Sequence, residues 1–142
     1  MGYRVSPPTE WQWQQAATSG NPGQDYPWGS EYESGRANID ETVRGAGSHY
    51  LRRTTAVGIY PQGNSVQDIS DLAGNVWEWC LNERGEPANV QASGTERRVL
   101  RGGSWFGLRG RARASIRRYH VPASRSSRLG FRLSCSSPIR KN

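Results

Sequence analysis

Hydrophobic and polar positions follow a regular period in only a few short stretches of this chain. The clearest stretch predicts a helix over residues 10–18, where Thr9 can cap the first turn and Gln12 stands three residues later, as in a capping box. Glu10 in the first turn complements the helix dipole. The helix carries two tryptophans on different sides, so at least one of them must enter the core.

Strand-like alternation and turn signals predict several further short elements. A second short helix is predicted over residues 64–71. The predicted strands cover residues 76–80, 97–100, 113–117 and 130–134. Residues 20–63 are loop-like, and a loop of that length in a compact domain needs a function or anchors of its own.

Length and composition indicate one small domain with a core built from a few large side chains. Only 34% of the 142 residues are hydrophobic, but six are Trp and six are Tyr, while 17 Gly and 8 Pro favour turns and loops. No apolar run approaches the roughly 18 residues of a membrane span, and no signal peptide is visible. The compartment stays open.

The charge balance is basic and comes almost entirely from arginine. The formal net charge is +7, and Lys141 is the only lysine. Such a balance permits a nucleic-acid or acidic partner, but a solvated basic surface is equally compatible with it. The two cysteines, Cys80 and Cys135, are too few for a disulfide scaffold or a zinc knuckle, and we expect them to be buried or paired.

Six short motifs are spread along the chain: TEWQW, YPWG, ANI, GNVWEW, RVLRGGSW and GFR. They occupy residues 9–13, 26–29, 37–39, 74–79, 98–105 and 130–132. Together they resemble the formylglycine-generating-enzyme (sulfatase-modifying factor) type of C-type lectin fold, over residues 3–134. The resemblance implies an α+β fold with two short helices, few short antiparallel strands and high loop content. It also implies that residues 1–142 form a single C-type lectin-like domain, the C-terminal part of a longer protein whose upstream half is missing here.

The resemblance argues against an enzyme. Family members that oxidise a cysteine hold copper with two cysteines just after the RGGS motif, and soft thiolates suit Cu(I). The matching positions here are Gly107 and Ala112, which cannot ligate copper. Related sulfoxide synthases use a histidine-rich iron site from a separate helical domain, and His49 and His120 cannot build such a site alone.

A calcium site is an open alternative that the same resemblance implies. Family members bind calcium through the loop before the WEW strand. The matching ligands are the side chains of Asp71 and Glu78 and the backbone carbonyls of Gly74 and Val76. Two carboxylates and two carbonyls suit a hard cation. The competing interpretation is that both carboxylates simply bond to loop amides and arginines, so that no cofactor is needed.

A second branch of this fold consists of the variable proteins of diversity-generating retroelements. In that branch, mutagenic reverse transcription scrambles adenines in a repeat that typically lies between RGGSW and GFR, with AAC-type Asn codons as favoured targets. Scrambling the first two bases before a pyrimidine cannot yield Lys, Glu, Gln, Met or Trp. Residues 106–129 contain none of these five types, whereas the usage elsewhere in the chain predicts about four or five. We call this stretch the 106–129 segment.

Within the 106–129 segment, alternating small residues and arginines are expected to pack below the surface as framework. These are Ala112, Arg113, Ala114, Arg117, Pro122 and Arg125. The intervening positions are predicted to be the variable ones, to share one exposed face and to bind the ligand. They are Phe106, Gly107, Leu108, Arg109, Arg111, Ile116, Arg118, Tyr119, His120, Val121, Ala123, Ser124, Ser126, Ser127 and Arg128. A core role for Ile116 is the alternative.

The resulting hypothesis is a non-enzymatic recognition domain for a protein or another macromolecular ligand. Tyr, Phe and Arg are the residue types that carry binding energy at interfaces. Nucleic acid is the disfavoured rival: nine arginines lie from Arg101 to Arg132, but no known nucleic-acid motif appears. The remaining alternative is a degenerate formylglycine-generating-enzyme relative with an unknown role.

Overall fold

A computed structural model describes residues 2–137 and shows an α+β fold in which loops dominate. The single α-helix of the described part is α1, Glu10–Thr18. The strands are β1 Arg4–Ser6, β2 Trp77–Glu83, β3 Arg98–Arg101, β4 Arg117–His120, β5 Leu129–Gly130 and β6 Ser134–Ser136. Three short 3₁₀ turns occupy Val43–Gly45, Pro61–Gly63 and Arg109–Ala112. The C-type lectin fold class predicted from the sequence is confirmed.

The sequence prediction of α1 is confirmed to the residue. The Thr9 hydroxyl accepts a hydrogen bond from the Gln12 backbone N–H, and the Gln12 side chain accepts one from the Thr9 N–H. Ser19 ends the helix in the left-handed region at φ 51°. Trp13 is the tryptophan that enters the core, whereas Trp11 is 57% exposed.

The main sheet has four strands in the order β4-β3-β2-β5. Strand β3 pairs antiparallel with both β2 and β4, and Val99 lies opposite Tyr119. Strand β5 runs parallel to β2, an exception to the predicted antiparallel pattern. The second sheet is the antiparallel pair β1 and β6, which joins the two ends of the described chain.

Three of the predicted elements are wrong. The strand predicted over residues 130–134 does not form as one strand, because Gly130 belongs to β5 and Ser134 to β6, and these lie in different sheets. The second helix over residues 64–71 does not form, because Asp68 and Asp71 adopt left-handed φ values of 60° and 58°, which interrupt a right-handed helix. The strand predicted over residues 113–117 begins only at Arg117. The Ala114 N–H donates to the Asp25 carbonyl over 2.7 Å, so it cannot join the sheet ladder.

The core consists of two clusters of buried side chains. The first lies between α1 and the main sheet and contains Trp13, Ala17, Leu72, Cys80, Val99 and Ala114. The second contains Tyr26, Ala37, Ile39, Ala73 and Ala112, with Trp28 stacked on Tyr26. Both cysteines are free: Cys80 is buried and Cys135 is exposed. The expectation that both are buried or paired is therefore confirmed for Cys80 and wrong for Cys135.

Candidate binding surface on the 106–129 segment

Three of the six sequence motifs meet where the 106–129 segment begins. The Asn38 side chain donates to the Asn75 side-chain oxygen, and the Asn75 N–H donates to the Asn38 carbonyl over 2.9 Å. The Trp105 N–H in turn donates to the Asn75 carbonyl over 2.9 Å. Asn75 therefore ties the ANI and GNVWEW motifs to RGGSW. The sequence showed these motifs but not that they touch.

Two glycines turn the chain from β3 into the 106–129 segment. Gly102 and Gly103 have φ values of +99° and +78°, which side-chain-bearing residues rarely adopt. A Cβ on Gly103 would lie 3.0 Å from the Arg111 carbonyl oxygen, and one on Gly102 would lie 3.2 Å from the Trp13 ring. Both backbone conformation and close packing therefore require glycine here.

The far end of the segment is held by an ion pair on the helix side of the sheet. Arg132 Nε and Nη2 donate to the two carboxylate oxygens of Glu78 over 2.7 and 2.8 Å, and Nη2 also donates to the Ser70 carbonyl. The Trp13 indole N–H donates to Glu78 Oε2 over 2.7 Å. Burial alone would lower the pKa of Arg132, but the bond to Glu78 and its charge raise it above the ordinary value.

The middle of the segment is held by a second ion pair. Arg117 donates from Nε and Nη2 to the Glu10 carboxylate over 2.8 and 2.6 Å. Arg101 donates to the same carboxylate over 3.1 Å and also bonds to the Gln14 side chain and the Ala114 carbonyl. The framework expectation for Arg117 is met in its contact but not in its burial, because its side chain is 38% exposed whereas its partner Glu10 is buried.

The fifteen positions predicted to be variable all retain solvent access. Seven are half-buried: Gly107, Leu108, Ile116, Tyr119, His120, Ser124 and Arg128. The other eight are exposed: Phe106, Arg109, Arg111, Arg118, Val121, Ala123, Ser126 and Ser127. The expected framework residues Ala112 and Ala114 are each 1% exposed. By contrast, Arg113, Pro122 and Arg125, also expected as framework, are exposed.

The sequence predicted that these fifteen positions share one exposed face. This prediction is wrong. Successive side chains of a strand point to opposite sides, so β4 divides them. Arg118 and His120 point away from α1, whereas Tyr119 packs against the core cluster around Trp13 and under the Arg84 guanidinium. Val121 lines a separate recess beside Arg84.

A second departure from the single face concerns the 3₁₀ turn Arg109–Ala112. Its Arg109 carbonyl accepts a hydrogen bond from the Tyr26 hydroxyl over 3.0 Å. The turn therefore sits against the second core cluster. The predicted positions Arg109 and Arg111 belong to this turn and are absent from the lining of the recess described next.

Five of the fifteen predicted positions line an open recess of about 350 Å³ on the sheet face opposite α1. We call it the cationic cleft. Its lining consists of Trp77, Arg118, His120, Ser124, Arg125, Ser126, Arg128 and Leu129. The Ser124 hydroxyl lies 3.5 Å from His120 Nδ1, and Arg125 donates to the carbonyls of Pro122 and Ser124.

Two arginines of the cationic cleft lie over aromatic rings. The Arg118 guanidinium is 5.7 Å from the Trp77 ring centre. Arg128 lies 4.0 Å from the ring centre of Phe106 and 5.9 Å from that of Trp105. These contacts hold the guanidinium groups in place by cation–π attraction.

Sequence reasoning missed three residues of the cationic cleft as site residues. Arg125 was expected only as framework, and Trp77 and Leu129 were assigned to neither set. The alternation of β4 could have shown that Arg118 and His120 point the same way. Nothing local indicates Trp77, because its contact with Arg118 spans 41 positions of sequence.

The donor set predicted for calcium does not fit a cation in this arrangement. Both carboxylate oxygens of Glu78 already accept hydrogen bonds from Arg132 and Trp13. Asp71 Oδ2 accepts the Gly58 N–H over 2.7 Å. Among residues 2–137, no group of three or more His, Cys, Asp or Glu is arranged to hold a metal ion.

The positions that match the copper-binding cysteines serve the backbone scaffold. The Gly107 carbonyl accepts the Asp40 N–H, and its own N–H donates to the Ser104 carbonyl. Ala112 lies in the second core cluster. Burial raises the pKa of the Cys80 thiol to about 12, which keeps it protonated at neutral pH.

No helix within the described residues is long and apolar enough to cross a membrane.

Comparison with known proteins places this arrangement in a family. The family model "Sulfatase-modifying factor enzyme 1-like domain" matches residues 3–136. The inactive C-alpha-formylglycine-generating enzyme 2 of Bos taurus is 36% identical over 138 residues, which are 92% of this chain and 43% of that protein. The formylglycine-generating enzyme of Streptomyces coelicolor is 34% identical over 88% of this chain and 45% of that protein. The relatives thus include both inactive and active members.

A solved structure with a similar fold is Treponema denticola variable protein 1. It superposes with a TM-score of 0.70 at 31% identity, over 94% of this chain and 48% of that chain. This chain therefore spans less than half the length of each of these three relatives.

Proposed function

Because this chain belongs to the sulfatase-modifying factor enzyme 1-like domain family, we propose that it is a non-enzymatic recognition domain of that fold. In this proposal it is a variable protein of a diversity-generating retroelement, and its 106–129 segment displays exchangeable side chains to a protein ligand. The observation that carries the proposal is that different residues of the segment are exposed to solvent and anchored to the scaffold. All fifteen proposed ligand-binding positions are solvent-accessible, while Ala112, Ala114 and the Arg117 ion pair supply the anchoring.

The anchoring contacts are made by residues outside the exchangeable set. Asn75 holds the start of the segment through Trp105, Glu10 holds its middle through Arg117, and Glu78 holds the chain just past its end through Arg132. A scaffold of this kind tolerates new side chains because they are not needed for folding. The same separation of rigid framework and adaptable surface underlies antibody loops.

The non-enzymatic part of the proposal is supported by the chemistry at the matching positions. Copper needs thiolates, and Gly107 and Ala112 offer none. Of the two thiols in the chain, Cys80 is buried with a raised pKa and Cys135 lies on β6 in the other sheet. Active relatives exist, so assay of a sulfatase-derived Cys peptide with copper is the direct check, and formylglycine formation would contradict this part.

A library experiment tests the recognition proposal. The fifteen positions are randomised with codons that end in a pyrimidine, and the library is displayed and sorted against three unrelated purified proteins. A matched control library randomises fifteen exposed positions of the 42–67 loop region. We expect distinct binders to each target from the first library, at least tenfold more often than from the control. Equal yields from both libraries would contradict the proposal.

A further inference from the structure

The arginines of the cationic cleft differ from four neighbouring arginines of the chain, which have carboxylate partners. Arg101 and Arg117 pair with Glu10, Arg132 pairs with Glu78, and Arg113 lies 3.8 Å from Asp25. Within residues 2–137, Arg118, Arg125 and Arg128 form no ion pair with a carboxylate, and no acidic residue lines the cationic cleft. Their positive charge is therefore uncompensated within a concave site.

The Trp77 ring in the cationic cleft and the Phe106 ring beside it each carry one of the arginines of the cleft. Arg118 covers Trp77, which is only 3% exposed, and Arg128 lies 4.0 Å from the centre of the Phe106 ring. Binding of single-stranded nucleic acid needs free aromatic faces on which bases can stack. The geometry therefore favours a compact anion over a nucleobase.

We propose that the cationic cleft binds an acidic side chain of a protein ligand, with Arg118 and Arg128 as its principal contacts. The proposal rests on the recognition function proposed above and assigns a ligand chemistry to that surface. A carboxylate can accept two parallel hydrogen bonds from one guanidinium fork, and stacking on Trp77 and Phe106 holds the two forks before the ligand arrives. The hydroxyl of Ser124 supplies a neutral donor at the same site.

The volume of the cationic cleft limits the size of the ligand group that can enter it. About 350 Å³ accommodates one or two side chains, not a helix or a nucleic-acid duplex. Leu129 supplies apolar surface for the methylene groups that precede a carboxylate. An extended acidic segment with Glu or Asp pointing into the recess satisfies both requirements.

Nuclear magnetic resonance titration of the isotope-labelled chain tests the proposal. The probe is the peptide Gly-Glu-Glu-Gly, acetylated at its N-terminus and amidated at its C-terminus so that only its side chains carry carboxylates, at about 150 mM salt, where long-range attraction is screened. The matched control probe is Gly-Gln-Gln-Gly. We expect the Glu peptide to shift the Nε–H signals of Arg118 and Arg128, while the Gln peptide leaves them unchanged. No shift at either arginine, or equal shifts with both peptides, would overturn the proposal.

Three variants separate a specific site from general attraction. Arg118→Ser should weaken the affinity for the Glu peptide at least tenfold, and Arg118→Lys should weaken it severalfold because the charge stays but the fork is lost. Arg53→Ser removes an exposed arginine far along the sequence and should leave the affinity within twofold. Equal losses in the Arg118→Ser and Arg53→Ser variants would overturn the proposal. Melting temperatures of all three confirm that each variant is folded.

Two further probes address other anions. Inorganic phosphate or a short oligothymidine that shifts the same signals at lower concentration than the Glu peptide would overturn the assignment to a carboxylate. The library experiment distinguishes the two proposals. Binders from the library without Glu-peptide binding would leave the recognition surface standing and remove the acidic preference alone. Glu-peptide binding without library binders would mark a fixed anion site and contradict the exchangeable surface.

Discussion

Arg117 of β4 and Glu10 of α1 form a two-pronged ion pair, with Nε–Oε2 and Nη2–Oε1 distances of 2.8 and 2.6 Å, although 107 positions of sequence separate them. Arg101 shares the same carboxylate, and the Glu10 side chain is only 8% exposed. The contact joins the first turn of the helix to the middle of the 106–129 segment. It thereby fixes the strand from which Arg118 and His120 reach the cationic cleft.

Replacing this carboxylate should destabilise the whole domain. Glu10→Gln leaves the buried Arg101 guanidinium without a counter-charge, and loss of one partner of a buried ion pair costs about 3–5 kcal/mol. Chemical denaturation measures the change in the free energy of unfolding. Glu96→Gln, at an exposed position, is the control and should change it by less than about 0.5 kcal/mol. A cost for Glu10→Gln no greater than for the control would show that the pair anchors nothing.

Glu41 gives a prediction that depends on pH. Its buried carboxylate would have a raised pKa from burial alone, but hydrogen bonds from the Tyr32 and Ser34 hydroxyls and the Gly35 and His49 N–H groups hold the pKa below its ordinary value. A carboxyl with a lowered folded-state pKa stabilises the fold above its unfolded-state pKa. That contribution is lost as the pH falls through the folded-state value.

We therefore expect Glu41→Gln to cost about 2 kcal/mol of unfolding free energy at pH 7. The difference from the unsubstituted chain should stay constant down to about the ordinary glutamate pKa of 4.5 and shrink below it. Glu33→Gln, which removes an exposed ion pair with Arg36, should cost less than about 1 kcal/mol. A free-energy cost of Glu41→Gln that grows as the pH falls would contradict a lowered pKa of Glu41 in the folded state.

Calcium should not stabilise the domain through the loop before β2. The Glu78 oxygens are bonded to Arg132 and Trp13, so a cation would have to displace an arginine. Because weak protein calcium sites have dissociation constants of about 1 mM or below, about 5 mM calcium chloride would saturate such a site. We expect the same melting temperature in calcium and in chelator. A rise that Asp71→Asn abolishes would restore the calcium prediction.

The parts of the fold that the sequence predicted are those decided locally. The Thr9–Gln12 capping box specifies α1, and the Gly-Asn turn followed by alternating residues specifies β2. The second helix was predicted wrongly because the left-handed conformations of Asp68 and Asp71 follow from their surroundings, which a hydrophobic pattern does not contain. Strand β4 was placed too early because the Ala-Arg alternation after Gly110 mimics a strand period.

The cationic cleft was predictable only in part: five of its eight lining residues belong to the predicted set, and its geometry was not predictable. The absence of five residue types marked the 106–129 segment, and the family motifs marked its two ends. Which positions converge depends on contacts such as that between Arg128 and Phe106, 22 positions apart. The pleat of β4 then places Tyr119 against the core and His120 in the cationic cleft. The hydrophobic and polar positions of the segment follow no regular period, so the sequence did not predict this separation.

Deep sequencing of the codons for residues 106–129 across a growing population of the source organism tests the central claim most directly. The account predicts that substitutions concentrate at the fifteen proposed positions, in the first two bases of codons that end in a pyrimidine. The codons of Ala112, Ala114 and Arg117 should stay constant, as should those of Arg101 and Arg132 outside the segment. Substitutions that are absent, or that fall equally on these five codons, would contradict the account.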